Sequence, residues 1–182
     1  MAARITWTLS DYQIMIDDSA FYDRQPGLDI ATVPELNAFL QAAFNDDEVA
    51  RLSMYLDDES ASLISGSKPE IRDLPGTYLD LLAISHGGGI AIGEREIAYF
   101  EIASMRDYMI DYQFPVYMPG ALPFGLNGGA VFYVFDMREP ASSNEFPIVA
   151  VSSGNLCYDD APTIARSIPE LLSNSINIEN FL

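Results

Sequence analysis

The patterning of apolar residues changes near residue 74, and this change constrains the fold more than any other feature of the chain. Before it, apolar side chains recur at the three- and four-residue spacing of helices. After one further helical segment, short runs typical of strands follow one another, divided by glycine and proline. Because helices and strands do not alternate regularly, the sequence predicts an α+β fold with a mainly antiparallel sheet.

Two helices are predicted before the change. The first spans 33–44, where Thr32 can act as the N-cap. The second spans 46–56, where Asn45 is the expected N-cap and Glu48 follows three residues later.

A third helix is predicted over 74–86, and the glycines Gly87-Gly88-Gly89 end it. Since the chain must enter a strand within three residues, we expect at least one of these glycines to have positive φ. Ser167 and Glu170 form a capping box for the last helix. The remaining expectations are strands over 90–92, 97–100, 130–135, 146–151 and 156–158, a helix over 103–112, and either helix or strand within 1–30.

Charge is the strongest compositional signal, because 27 Asp and Glu against 9 Lys and Arg give a formal net charge of −18. This balance argues against direct contact with nucleic acid phosphates, and an anionic membrane would repel the chain. No apolar run reaches the length of a membrane span. Two interpretations of the charge stay open: it keeps the protein soluble, or it steers a basic partner toward it.

The single cysteine, Cys157, excludes an intramolecular disulfide and a thiolate metal site. Such cysteine usage suits a reducing cytoplasm. The first residues also lack the apolar region of a secretion signal. We therefore expect a cytoplasmic protein in which residues 1–182 form one domain. Its oligomeric state does not follow from the sequence.

The string His86-Gly87-Gly88-Gly89 has the letters of the oxyanion-hole motif of lipases and esterases. A serine hydrolase also needs a Gly-x-Ser-x-Gly elbow and a histidine that acts as general base. The chain has no such elbow, and His86 is its only histidine. We therefore predict no enzymatic activity and no cofactor. We also expect His86 and Cys157 to be structural, without sharing a pocket with a serine and an acid.

Two acidic clusters, Asp46-Asp47-Glu48 and Asp57-Asp58-Glu59, lie near opposite ends of the helix predicted over 46–56. Neither has the residue spacing of a calcium-binding loop, so no metal site is predicted. Acids in such positions are either solvated residues of a helix or contacts for a protein partner. We predict a partner-binding surface made of Asp46, Asp47, Glu48, Asp57, Asp58 and Glu59. Tyrosines on the outer sheet face are the other candidate interface.

Three strings of the chain carry a family resemblance. The string 74–89 is similar to the signature Leu-Pro-x-x-Tyr-x-x-Leu-Leu-x-x-x-Asn-Gly-Gly of the SUKH superfamily, which includes fungal cell-wall glucan synthesis regulators and bacterial toxin-immunity proteins. The string 122–133 resembles its Phe-Gly-x-x-Gly-Gly-Asp-x-x-Tyr hairpin, and 164–172 resembles its closing helix. His86 replaces the family's Asn, and Ala130 replaces its acid. The matching motif residues, which the resemblance makes structural, are Leu74, Pro75, Tyr78, Leu82, Gly87, Gly88, Gly89, Gly125, Gly128, Gly129 and Ser167.

The resemblance covers about 45–174 and implies an α+β core with a mixed sheet flanked by helices, on which residues 1–44 pack as an atypical extension. It also implies a non-enzymatic role in which the protein binds and neutralises a partner toxin. Toxins of this kind are often nucleases or deaminases with basic grooves, which an acidic inhibitor complements. The alternative is an intracellular regulatory or scaffold module of the same fold, without a toxin.

Overall fold

The computed structural model of the chain describes residues 4–9, 12–17, 20–93, 95–139 and 144–173. The strands in these ranges are β1 Arg4–Leu9, β2 Tyr12–Asp17, β3 Phe21–Tyr22, β4 Gly88–Ile92, β5 Arg95–Tyr99, β6 Ala121–Leu126, β7 Val131–Asp136, β8 Ile148–Ser152 and β9 Thr163–Ala165. The helices are α1 Val33–Leu40, α2 Asp46–Leu52, α3 Asp58–Ile64, α4 Gly76–Ile84, α5 Ile102–Asp111, α6 Phe114–Tyr117 and α7 Ile168–Ser173.

Seven of the strands form one sheet in the order β3-β4-β5-β6-β7-β8-β9, so each strand pairs with its neighbour along the chain. Every pairing described is antiparallel, and β1 and β2 form a separate antiparallel hairpin. The predicted α+β class with a mainly antiparallel sheet is therefore confirmed, and among the described strands no parallel pair of the kind a mixed sheet contains is present. The first 30 residues, compatible with helix or strand, contribute strands.

Helices cover both faces of the central strands. On one face, the Phe132 ring of β7 lies 4.7 Å from the ring of Tyr112 and 5.4 Å from that of Phe114. On the other face, Phe135 lies 5.3 Å from the ring of Tyr78 in α4. Burial on two faces explains why 132–135 is apolar throughout and does not alternate with polar residues.

The segment predicted as one helix over 46–56 forms two helices instead. Helix α2 ends at Leu52, and the Asp57 side chain accepts the Ser60 N–H at 2.7 Å to start α3. The two acidic clusters therefore begin two successive short helices, rather than flanking a single one. The predicted Asn45 cap is confirmed, since its side chain accepts the Glu48 N–H at 3.0 Å and Glu48 accepts the Asn45 N–H.

The glycine string after α4 takes the conformation expected of it. Gly87 has φ of 94° and Gly88 has φ of 123°, which confirms the predicted positive φ. A Cβ on Gly88 would stand 2.7 Å from the carbonyl oxygen of Asp23, and one on Gly87 would stand 3.0 Å from the backbone nitrogen of Glu101. The glycines thus let the chain enter β4 while neighbouring backbone packs closely against it.

The remaining motif residues have structural positions. Leu74, Pro75 and Leu82 are buried beside or within α4. The buried Tyr78 hydroxyl donates to the Phe100 carbonyl at 2.8 Å. Ser167 accepts the Glu170 N–H at 3.3 Å, which gives the predicted cap of α7.

The β6–β7 hairpin holds the other motif glycines. A Cβ on Gly125 would stand 2.8 Å from the Ala98 carbonyl oxygen, so this glycine lets β6 approach β5. The Asn127 side chain accepts the N–H groups of Gly129 and Val131 at 3.0 and 3.2 Å, while Gly128 has φ of 79°. The turn between the strands is therefore built by an Asn-Gly-Gly sequence.

Some expected boundaries are wrong. Helix α1 ends at Leu40 rather than residue 44, and Thr32 makes no side-chain cap bond. The strand expected over 156–158 is absent from the described residues there, and the next strand is β9. The Tyr158 hydroxyl instead donates to the Pro119 carbonyl at 2.9 Å.

Residues 20–44 contribute both an edge strand and a helix to this fold. Strand β3 pairs with β4, and the Asn37 side chain of α1 accepts the Leu74 N–H at 3.1 Å. Residues 1–3 and residue 174, which ends the family-like core, lie outside the described residues. Across the ranges that are described, no helix combines the length and apolarity that crossing a bilayer requires.

Candidate partner-binding surface

The six predicted partner-binding acids divide into five exposed residues and one buried residue. Asp46 and Asp47 are exposed at the start of α2, and Asp57, Asp58 and Glu59 are exposed at the start of α3. Glu48 is only 8% exposed. The expectation that Glu48 contacts a partner is therefore wrong.

Glu48 belongs to a buried ion pair with Arg106 of α5. The Arg106 Nε and Nη2 atoms donate to the two Glu48 carboxylate oxygens at 2.7 and 2.9 Å. Its Nη1 donates to the carbonyls of Phe39 and Leu40 at 3.0 and 2.8 Å, and Nη2 reaches the Ala42 carbonyl at 3.2 Å. Arg106 thus satisfies backbone oxygens at the end of α1 while it pairs with the first turn of α2.

This pairing shifts the titration of the buried acid. Hydrogen bonds from Arg106 lower the pKa of Glu48 below its ordinary value, and the Asn45 N–H adds to this effect, although burial opposes it. Glu48 is therefore held as a carboxylate that joins α1, α2 and α5. The exposed acids near Glu48 are therefore carried by helices whose relative positions this ion pair fixes.

A second arginine, Arg51, lies among three exposed carboxylates. Its Nε donates to Asp111 at 2.9 Å, and its Nη2 also contacts that carboxylate. Its Nη1 stands 4.0 Å from Asp47 and 3.9 Å from Asp107. One guanidinium among three carboxylates leaves this patch with two negative charges, and the Asp47 side chain is 85% exposed.

Beside Arg51 is an open groove of about 430 Å³ lined by tyrosines. Tyr55 is 77% exposed, Tyr117 is 50% exposed, and the less exposed Tyr112 contributes a wall of the groove. Asp111 and the turn at 153–155 complete the lining. We call this feature the tyrosine groove; its Asp111 joins it to the patch in which Arg51 also contacts Asp47 and Asp107.

Buried contacts of Gln113 and Tyr112 hold the wall of the tyrosine groove in place. The buried Gln113 donates from its side chain to the carbonyls of Arg51 and Leu52, both at 3.2 Å. Gln113 adopts a left-handed conformation, with φ of 59°, between α5 and α6. Tyr112 packs edge-on against the buried Phe132. A binding surface that is ordered before the partner arrives loses less conformational entropy on association.

Sequence patterning located only part of this surface. The structure places the tyrosines of this surface near the ends of α2 and α5 and in α6, whereas in the described part of the seven-stranded sheet Tyr22 of the edge strand β3 is exposed and Tyr99 and Tyr133 are buried. Two signals were available: Asp107 and Asp111 are four residues apart on one predicted helix, as are Asp47 and Arg51 on another. The two helices bring these pairs together because Glu48 and Arg106 make a buried contact. No local sequence pattern reveals that contact.

His86 lines a different pocket at the start of α5. It shares that pocket with Ser104 and the acids Asp29 and Glu101, so the expectation that it would not line one with a serine and an acid is wrong. The Ser104 hydroxyl donates to Glu101 at 3.3 Å, while His86 Nε2 accepts the Ile102 N–H at 3.3 Å. The imidazole nitrogen that would act as base is therefore occupied by backbone and does not contact the hydroxyl.

Cys157 is half-buried and does not line the pocket of His86. In the described part of the chain, no group of three or more His, Cys, Asp or Glu side chains is arranged to hold a metal ion.

No protein-family model matches the chain, and no curated protein matches it significantly.

Proposed function

We propose that this chain is a protein-binding module that uses the tyrosine groove to bind and neutralise a partner toxin with a basic surface. One observation carries the proposal: exposed tyrosines line a preformed groove beside a patch in which three exposed carboxylates surround one guanidinium. Tyrosine supplies large contact area at interfaces for a small loss of conformational freedom. The carboxylates would orient a basic surface toward these rings.

The charge of the whole chain supports the same proposal. A net charge of −18 would accelerate encounter with a basic protein, and it would disfavour contact with nucleic acid. The basic groove of a nuclease or deaminase domain is the kind of surface that such an inhibitor would cover. The lone Cys157 suits action in the reducing cytoplasm.

A resemblance to the SUKH superfamily, in the segments 74–89, 122–133 and 164–172, remains a prediction. It is the reason that a toxin is proposed as the partner. A regulatory or scaffold module of that fold would use an interaction surface of the same kind. The two roles differ in what the partner does when it is alone: a toxin stops growth, whereas a regulated protein does not.

The test begins with capture of partners from the source cell on the immobilised chain. A variant with Tyr55→Ser and Tyr117→Ser is compared with a Tyr22→Ser control, because Tyr22 is exposed on the edge strand β3. We expect a basic protein to be retained by the wild type and the control and to be lost from the groove variant. Expression of that protein alone should arrest growth, and co-expression of the wild-type chain should restore it. A captured protein that is harmless alone would favour the regulatory role, and retention by the groove variant would contradict the site.

A further inference from the structure

The pocket that contains His86 is distinct from the tyrosine groove, but the two adjoin through the rings of Tyr108 and Tyr112, whose centroids lie 6.0 Å apart. Glu101 and Ser104 of the pocket lie at the N-terminal end of α5, whereas Asp111 and Tyr112 of the tyrosine groove lie at the C-terminal end of that helix. Its volume is about 770 Å³, which is in the range of sites for small organic groups. The proposed function makes no use of it.

Two exposed carboxylates give this pocket its charge. Asp29 uses Oδ1 to accept the Ala31 N–H at 3.0 Å, and Glu101 uses Oε1 to accept from Ser104. Each hydrogen bond leaves the second carboxylate oxygen of the residue for another donor. Among the described residues, no lysine or arginine lines the pocket. Arg24 is outside its lining, and its guanidinium donates to the Ile84 carbonyl at 3.4 Å.

The positive end of α5 does not cancel this negative charge. The Ile102 N–H in the first turn donates to His86 Nε2, and the Glu101 carboxylate is placed at the N-cap of the helix. A helix N-terminus carries only about half a unit of positive charge. Within the lining, two carboxylates therefore outweigh the charge of the helix end, while Arg24 acts electrostatically on Tyr99 from outside the lining.

An aromatic wall makes the pocket suit an organic cation rather than a metal ion. Tyr108 stacks on Phe100 with ring centroids 4.2 Å apart and planes within 7°, and both residues line the pocket. Guanidinium and ammonium groups are attracted to aromatic faces as well as to carboxylates. A metal ion would require a cluster of ligating side chains, and the described residues provide none.

His86 adds a hydrogen-bond donor beside the cation site. Because Nε2 accepts the Ile102 N–H, the neutral ring carries its proton on Nδ1. None of the described residues accepts a hydrogen bond from that atom. A carbonyl oxygen next to the cationic group of a ligand could accept it, as in an amide of arginine or lysine.

We propose that the pocket lined by Asp29, His86, Glu101 and Tyr108 binds a guanidinium or ammonium group, carried either by a free small molecule or by the side chain of a basic polypeptide. The carboxylates bind the cation and the Tyr108 ring packs against it. The absence of a side chain at Gly87 lets the Glu101 backbone pack close to the His86 segment.

The test is an NMR titration of the full chain with acetyl-arginine amide, with neutral acetyl-glutamine amide as the matched ligand. We expect the amide signals of Gly87, Gly88 and Ile102 to shift with the arginine ligand and not with the glutamine ligand. The variant Asp29→Asn with Glu101→Gln, which preserves the size of both side chains, should weaken binding at least tenfold. The control Glu139→Gln with Asp159→Asn removes two exposed charges elsewhere and should bind as the wild type does.

A second arm identifies the source of the cation. Tighter binding of acetyl-Gly-Arg-Gly-amide than of acetyl-arginine amide indicates a polypeptide side chain, and equal binding indicates a free small molecule. The proposal is overturned if the arginine ligand shifts none of the three amides, if the glutamine ligand shifts them equally, or if the Asp29 and Glu101 variant binds unchanged. Shifts confined to Tyr112 and Asp111 would also overturn it, and they would leave the proposed function of the tyrosine groove intact.

Discussion

At the residue scale, position 88, where the chain enters the sheet after α4, requires glycine. A residue with a side chain would have an unfavourable φ there and no room for its Cβ. We expect Gly88→Ala to lower the free energy of unfolding by about 1 kcal/mol or more, since φ is 123° and a Cβ would stand 2.7 Å from the Asp23 oxygen. Gly66→Ala is the matched control, because Gly66 has φ of 75° with open space around it. Urea unfolding measures both, and equal losses would contradict the close contact with Asp23.

Another single residue, Glu48, is expected to matter for stability rather than for binding. Glu48→Gln leaves the buried Arg106 without a charged partner, so the free energy of unfolding should fall by about 3 kcal/mol. Asp46→Asn, an isosteric change at an exposed neighbour, should alter it by less than about 0.5 kcal/mol. Comparable losses in the two variants, measured by urea unfolding at neutral pH, would show that the ion pair does not join the helices as described.

The same ion pair gives a pH dependence with a definite sign. Because the folded pKa of Glu48 is lowered, its carboxylate stabilises the protein above the unfolded pKa of about 4.3. This contribution is lost as the pH falls through the lower folded pKa. The difference in unfolding free energy between wild type and Glu48→Gln should therefore shrink at acidic pH. A difference that is constant between pH 7 and pH 3 would contradict the assignment.

At the scale of elements, helix starts were more predictable than helix ends. The caps at Asn45 and Ser167 depend on local hydrogen bonds, so the sequence contains the whole signal. The end of α2 depends on Gln113, which is 61 residues from Leu52 and binds its carbonyl oxygen. Strand β6 contains Pro123 and a register shift, so it lacks the regular pattern of a strand. The burial of Glu48 likewise follows from a residue 58 positions away.

The local nature of the α2 cap leads to a prediction at this scale. Asn45→Ala removes the acceptor for the Glu48 N–H and should cost about 1 kcal/mol of unfolding free energy. The acceptor role is restored by Asn45→Asp, which should recover most of the loss. Equal destabilisation by Ala and Asp in thermal unfolding would show that the side chain acts through packing instead of capping.

At the scale of the whole molecule, we propose that charge accelerates the approach of the partner and that the tyrosine groove retains it. Reversing Asp47 and Asp58 to Lys should leave the fold nearly unchanged, because both side chains are exposed. It should slow association with the captured basic protein and reduce the dependence of the rate on salt. Stopped-flow measurements at low and high salt test this, since the Debye length is only about 10 Å at 0.1 M. Rates identical to wild type at both salt concentrations would mean that these acids do not face the approaching partner.

The central claim, that the tyrosine groove is the binding surface, is tested most directly by the affinity of the captured protein for the Tyr55→Ser, Tyr117→Ser double variant. Loss of a buried aromatic contact at an interface costs about 2 kcal/mol or more, so calorimetry should show the dissociation constant rising at least about 30-fold. The Tyr22→Ser control should bind within about threefold of the wild type, because surface substitutions away from a contact have small effects. Wild-type affinity in the double variant would contradict the account and would place the interface elsewhere on the chain.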